Sequence, residues 1–378
     1  MNAWPVLALL SLAIALLAIT RPPTVALLKL SVGATEFGHW FVLLPLLALI
    51  LGPWRGWAGL ASVPPALGAC ALFLSSAFRA QRLARTLPDE IDRALDVPAS
   101  AASDDPRPFA WRRLWFARAV PPVNVELREF AEHDGAKLAL HFYRSPARTP
   151  APCVIVIHGG GWESGSPDEF AACNHLLARR GYAVAAIQYR FAPRWPWPAQ
   201  REDVLAALRC LKEHAAELGI DAQKFVLMGR SAGGQIAKAA AYSARDPAIR
   251  GCIAFYAPAD MHFAHEFARD DDIISSLGLV LRFMGGPPAQ ARENYDSASG
   301  ILLADGTSPP TLLLHGRRDP YVWYLQSQRL AARMKAVGVP HFFLDLPWAT
   351  HGFDFAPHGP GGQLAAYAVG RFLAAVTR

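Results

Sequence analysis

Cysteine is scarce and scattered. The chain of 378 residues holds five (Cys70, Cys153, Cys173, Cys210 and Cys252), an odd number with no close spacing. Their settings are mostly apolar, as where Cys153 opens an apolar run, so they read as buried free thiols of a reducing compartment and not as a disulfide framework. There is no C-x-x-C and no H-E-x-x-H, which leaves a metal site without support in the sequence. His262 and His265 with Asp270, Asp271 and Asp272 lack ligand spacing and read as a solvated acidic turn. No internal repeat and no nucleic-acid motif is present. The net charge of +6 comes from dispersed basic residues, apart from a cluster at 79 to 118. No Lys or Arg precedes the first apolar run, from Ala3 to Thr20. A secretory signal peptide carries a basic n-region, so a membrane helix is the expectation here.

Apolar residues, by contrast, are plentiful at 52%. Mean hydropathy is +0.17, and the excess sits in the first 80 residues. Three segments, 3 to 20, part of 32 to 52, and Trp57 to Phe78, each approach the roughly 20 residues needed to cross a bilayer. Phe37, Trp40 and Phe41 sit near the start of the second, which Lys29 and Glu36 flank; its alternative is a re-entrant segment. Pro64-Pro65 breaks the third mildly. The first loop carries Arg21 and Lys29, the second Arg55, and the segment after the third span Arg79, Arg82, Arg85 and Arg93. That asymmetry puts the C-terminal part in the cytoplasm, on an inner or plasma membrane, with two or three spans. Residues 1–87 are thus expected as a membrane region of about three helices in contact with lipid. Residues 88–122 read as a Pro-rich linker, including Pro88, Pro98 and Pro106. Within it Trp111, Trp115 and Phe116 mix with Arg112, Arg113 and Arg118. That is the composition of a segment lying on anionic lipid, or of a surface helix packed on the domain that follows.

From 123 to 378 strands and helices alternate. Residues 124–130 and 137–143 read as a hairpin turned at Asp134-Gly135. Further strands fall near 153–157, 183–188, 224–228, 251–256, 311–315 and 341–346. Helices fall near 168–180, 201–217, 232–244, 323–337 and 362–376. The pattern predicts an α/β fold with a mostly parallel eight-stranded sheet and helices on both faces. Chemistry in such sheets sits at the carboxyl ends of the strands.

The candidate residues fall at those ends. Val226-Leu-Met ends a strand, Gly229-Arg230-Ser231-Ala232-Gly233 matches G-x-S-x-G, and a helix follows. The turn is tight enough to demand glycine two residues either side of the serine, and it leaves the hydroxyl exposed. After Val154-Ile-Val-Ile comes His158-Gly159-Gly160-Gly161-Trp162, whose glycines can turn two N–H groups into the site; with the N–H of Ala232 they suit an oxyanion. Asp319 follows one strand and His351 another, giving the chain order Ser, Asp, His. Histidine supplies a base near neutral pKa for a weakly nucleophilic hydroxyl, and a carboxylate fixes its tautomer.

These motifs resemble the α/β-hydrolase superfamily, within it the esterase/lipase group related to hormone-sensitive lipase and the feruloyl-esterase-like hydrolases. His158 to Trp162, Gly229 to Gly234, His315-Gly316-x-x-Asp319, His351-Gly352-Phe353 and Tyr189-Arg190-Phe191-Ala192-Pro193 with Asp203 all match. The resemblance implies a carboxylic ester hydrolase working through an acyl-enzyme without a cofactor, with Gly160, Gly161 and Ala232 as the oxyanion hole. Arg230 departs from the pattern, since many relatives carry a smaller or acidic residue there. Residues 258–310 are expected as a cap insertion, with 273–284 as a helix over the acyl pocket or as ordinary core. Trp162, Arg230, Phe283 and Met284 are the pocket candidates, with Trp195 and Trp197 at its mouth. The substrate is a small-molecule or lipid ester; an aryl-formamidase-like amidase and a non-catalytic membrane binding module are the alternatives.

Overall fold

Seven consecutive buried residues, Ala151–Ile157, make a strand with no solvent face, as the centre of a parallel sheet requires. This is β3 of a computed structural model that describes residues 3–52, 56–96, 107–116, 119–133 and 135–378. Arg55, Pro98, Pro106, Arg118 and Asp134 of the expectations above lie outside the described residues. The other strands are β1 Val125–His133, β2 Ala136–Tyr143, β4 Ala183–Ile187, β5 Ile220–Arg230, β6 Ile249–Phe255, β7 Thr311–Gly316 and β8 His341–Leu346. They form one eight-stranded sheet in the order β1-β2-β4-β3-β5-β6-β7-β8. β1, β2 and β4 pair antiparallel and the rest parallel. Together they make an α/β-hydrolase fold.

Alternate side chains leave a strand on opposite faces. Ile155, Ile157 and Leu227 therefore enter one core, with Ile236 and Ala237 of the helix Ala232–Ala244 and Val204 of the helix Ala199–Glu213. Val154, Val156, Val226 and Met228 enter the other, with Leu177 of the helix Ala171–Arg179 and Leu364 and Phe372 of the helix Pro360–Val376. Between β6 and β7 lie the helices Met261–Glu266, Ser276–Met284, Arg292–Ala298 and Gly300–Leu303.

The N-terminal residues form a helical unit that differs from three full spans. The first apolar run gives a helix of 14 residues, Ala3–Leu16, about 21 Å long where a bilayer core is about 30 Å thick. The second breaks: Val25–Glu36 meets the segment Gly38–Leu51 at 83°, with Phe37 carrying the turn. The third is the longest, Val63–Leu83, with 21 residues. Its two prolines open the helix instead of breaking it, because a first-turn residue has no intrahelical N–H bond to lose. Ala8, Ala48 and Ala66 meet at one contact, and Ala15, Ala34 and Ala69 at another; small side chains let the helices approach closely.

The segment expected as a linker carries structure too. The helix Leu87–Leu95 buries Leu87 and Ile91, and Asp92 pairs with Arg371 at 2.7 Å. In the helix Trp111–Trp115, Leu114 is buried with the second core, and Trp111 and Trp115 pack against it. Trp111 Nε1 donates to Gln81 Oε1 at 2.9 Å. Gln363 Oε1 accepts from the N–H of Ala110, also at 2.9 Å. The described part of this aromatic-basic stretch thus packs on the helix Val63–Leu83 and on the last helix.

Candidate active site

β5 ends at Arg230 and the helix Ala232–Ala244 begins two residues later, so Ser231 must make the whole turn. Its φ of 52° and ψ of −121° are costly for a residue with a Cβ. The glycines around it are obligatory. A Cβ on Gly229 would lie 2.1 Å from the carbonyl oxygen of Gly233, and one on Gly233 2.2 Å from that of Ile157. The N–H of Ser231 is spent on Phe255 O at 2.9 Å. Ala232 is the first helical residue, so its N–H has no carbonyl within the helix to meet.

Gly160 (φ 106°) and Gly161 (φ 60°) turn the loop after β3 back on itself. The turn closes as Glu163 N and Ser164 N both donate to Gly160 O, at 3.2 and 3.1 Å. Tyr189 holds the start of this loop: its hydroxyl donates to His158 O at 3.2 Å and Gly159 O at 3.1 Å, and its ring stacks on His158 at 4.3 Å. Burial pushes His158 down to about 4, so its imidazole is neutral at pH 7. Arg190, next in the same motif, is tied to Asp203 at 2.8 and 2.9 Å.

Asp319 leaves the end of β7 and His351 the loop after β8. His351 Nδ1 lies 2.7 Å from Asp319 Oδ2. The other carboxylate oxygen accepts from the N–H groups of Tyr321 (2.8 Å) and Val322 (2.9 Å). Burial opposes the charge of Asp319, but the neighbouring His351 and His315 more than offset it and hold the carboxyl below the usual range. His315, which the sequence placed in the motif His315-Gly316-x-x-Asp319 without a role, is the second neighbour of this carboxylate. It is fully buried, with Nε2 3.3 Å from Asp319 Oδ2 and Nδ1 2.7 Å from Ser327 Oγ. The i,i+4 spacing of His315 and Asp319 was the signal available.

Ser231, Ala232, His351 and the stretch Gly159 to Trp162 line one cavity of about 650 Å³. Its walls are largely apolar, with Phe170, Phe263, Phe267, Leu279, Val280 and Trp323. Of the four pocket candidates, Trp162 and Arg230 line this cavity and Phe283 and Met284 do not. Both are fully buried in the first core, and Phe283 stacks on Trp162 at 4.2 Å. The helix Ser276–Met284 is apolar around most of its surface, so its composition did not say which face met the cavity; Leu279 and Val280 do. Trp197 is likewise buried, with Nε1 donating to Ser297 Oγ at 2.9 Å. Neither it nor Trp195 belongs to the cavity wall. His262, set aside as part of an acidic turn, pairs with Asp296 at 2.7 Å.

Arg230, the departure from the family pattern, has a counter-charge that the sequence concealed. Its Nε lies 2.6 Å from Asp354 Oδ2, and its guanidinium sits 4.0 Å from the Phe170 ring centroid and 4.7 Å from that of Phe255. Burial works against its charge, and Asp354 outweighs that and holds it above the usual arginine value. The hydroxyl of Tyr256 donates to the other oxygen of Asp354 at 2.6 Å, and its ring lies 4.4 Å from that of His351. Asp354 stands three residues after His351, so this network ties the histidine loop to the residue preceding the serine.

The BD-FAE family profile matches residues 140–334. Among curated proteins, the probable carboxylic ester hydrolase LipM of Mycobacterium tuberculosis is 30% identical over 60% of this chain, which spans 54% of that protein. Carboxylesterase NlhH of the same species is 30% identical over 68% of this chain and 84% of its own length. The chain spans only 54–60% of the first three curated relatives it matches. Among solved structures, a bacterial heroin esterase superposes with a TM-score of 0.59 at 22% identity, covering 79% of this chain and 92% of that one; this likeness is one of fold.

Proposed function

The chain belongs to the BD-FAE family of α/β-hydrolases, and from that premise we propose that it is a carboxylesterase that uses Ser231, His351 and Asp319. Ser231 Oγ attacks the ester carbonyl while His351 Nε2 takes its proton. Asp319 holds Nδ1 and stabilises the imidazolium. The oxyanion rests on the N–H groups of Gly160, Gly161 and Ala232 within the loop His158 to Trp162. His351 then protonates the departing alcohol, leaving an acyl group on Ser231. A water deprotonated by His351 releases the acid and restores the serine. The observation that carries this reading is the 2.7 Å contact of His351 with Asp319 at the edge of the cavity that Ser231 also lines. The apolar walls favour a lipophilic acyl or alkyl group. Treating the full-length protein with a fluorescent fluorophosphonate, beside Ser231→Ala, tests it. Labelling that persists in the variant, or fails in folded wild type, would sink the assignment.

The domain organisation belongs to the same proposal: a membrane-anchored unit over residues 1–87 and a catalytic unit over 123–378 capped by 258–310, facing the cytoplasm. Its support is the helix Val63–Leu83, long and apolar enough to cross a membrane, and the outward-facing Leu9, Leu10, Leu43, Leu44 and Ile50. Exposed Arg79 and Arg82 lie near the end of that helix and Arg85 just beyond it, as the positive-inside rule asks of a cytoplasmic end. Retention of the full-length protein in membrane pellets through alkaline carbonate is the expected result; release into the supernatant would refute anchoring.

A further inference from the structure

The loop that carries His351 is pinned at both ends by one carboxylate from the far N-terminal unit. Glu36 is fully buried at the break between Val25–Glu36 and Gly38–Leu51. Its Oε1 accepts from Trp348 Nε1 at 3.2 Å, three residues before His351. Its Oε2 accepts from the N–H of Gly361 at 2.7 Å, where the last helix starts. The backbone is moulded to this carboxylate: a Cβ on Gly359 would lie 2.5 Å from Oε2, and one on Gly361 3.0 Å from Oε1.

The same unit holds the loop that carries Asp319. Arg318 Nη1 donates to the carbonyl of Ala18, and Arg21 Nη2 donates to the carbonyl of Arg317 at 3.4 Å. The two loops are joined in turn, since Arg318 N donates to Ala349 O at 3.1 Å and Arg317 N to Leu346 O at 3.0 Å. None of these groups lines the cavity. The unit therefore grips the supports of both the base and its carboxylate without touching the place where an ester would sit.

We infer that Glu36 is a positioning residue for His351, and that the N-terminal unit is part of the catalytic apparatus as well as a tether. The inference rests on the serine-hydrolase reading above, and phosphonate labelling of Ser231 checks that reading separately. Loss of the Glu36 carboxylate frees both ends of the histidine loop, and small displacements of a base are costly in rate.

The test uses full-length protein in lipid nanodiscs, a soluble short-chain nitrophenyl ester, and kcat expressed per phosphonate-titrated serine. Glu36→Ala is expected to lower that kcat by about tenfold or more with KM within about twofold of wild type. Trp348→Phe, which keeps the ring and removes the donor, is expected to lower kcat in the same direction by a smaller amount. Because both act through one contact, the double variant should be little worse than Glu36→Ala alone. Glu36→Gln, which keeps an acceptor oxygen, should recover part of the rate and carries the test if Glu36→Ala yields no titratable serine. A kcat per titrated serine equal to wild type in Glu36→Ala, or in both Glu36→Gln and Trp348→Phe if Glu36→Ala yields none, overturns the inference. So does a double variant whose loss is the product of the two single losses. Absence of labelling in wild type would instead overturn the hydrolase reading itself.

Discussion

Lys238 lies in the middle of the helix that Ser231 initiates, fully buried, with Nζ donating to Ala257 O at 3.2 Å. Burial pushes its ammonium from the usual 10.5 down to about 7. The unfolded chain keeps that proton up to pH 10.5, so between 7 and 10.5 it binds more protons than the native state and wild-type stability rises with pH. At about 1.4 kcal/mol per pH unit, holding Lys238 in place at pH 7 costs about 4 kcal/mol. Lys238→Met keeps the length and removes the ionisable group; the lost hydrogen bond returns about 1 kcal/mol. The variant is expected to gain about 3 kcal/mol at pH 7, a rise in Tm of about 4–6 °C, and to gain almost nothing at pH 9.5. Thermal unfolding of the detergent-solubilised protein by intrinsic fluorescence at both pH values measures this, with phosphonate labelling as a check on the site. A Tm at pH 7 no higher than wild type, or a gain unchanged at pH 9.5, would refute the reasoning.

Other outcomes follow from the same geometry. Gly160→Ala places a Cβ 2.0 Å from Ser164 O at a φ of 106°, so the oxyanion loop must shift; kcat for an ester should fall about 10²–10³-fold, read by steady-state kinetics. Arg230→Met leaves Asp354 buried without its counter-charge and should cost about 3–5 kcal/mol, whereas Arg230→Met with Asp354→Leu should recover most of that; chemical denaturation of the three proteins distinguishes them. His158 is neutral in the fold down to about pH 4, while in the unfolded chain it protonates below about 6.5. The native state should therefore lose about 3 kcal/mol between pH 6.5 and 4, a loss that His158→Phe removes and that Tm measured across this range detects.

The strands and turns of the proposed catalytic unit are legible in the sequence because their signals are local. Gly229, Ser231 and Gly233 are dictated by one turn, Gly160 and Gly161 by another, and β3 to β7 by short apolar runs between helices. Asp319 and His351 were proposed from order and strand-end position, and in the structure they lie 2.7 Å apart. What escaped was set by packing between distant segments. Phe283 and Leu279 lie on one apolar helix, and nothing in its composition says which faces the cavity. Asp354 was invisible as the partner of Arg230, 124 residues away. Glu36 looked like the flank of a membrane span because its partners, Trp348 and Gly361, lie at the other end of the chain. The apolar N-terminal runs were read by length; the structure shortens one and bends another, and helix ends inside a long apolar run leave little trace in hydropathy.

The bond from Glu36 to Gly361 joins residues 325 positions apart. A ribosome adding about 5–20 residues per second needs roughly a quarter of a minute to a minute to cover that distance. For the last 130 of those residues the nascent chain carries Ser231 and the glycine loop, yet the bond from Glu36 cannot form until Gly361 is made. On the proposed reading, the support of His351 is therefore completed only once the helix Pro360–Val376 has formed.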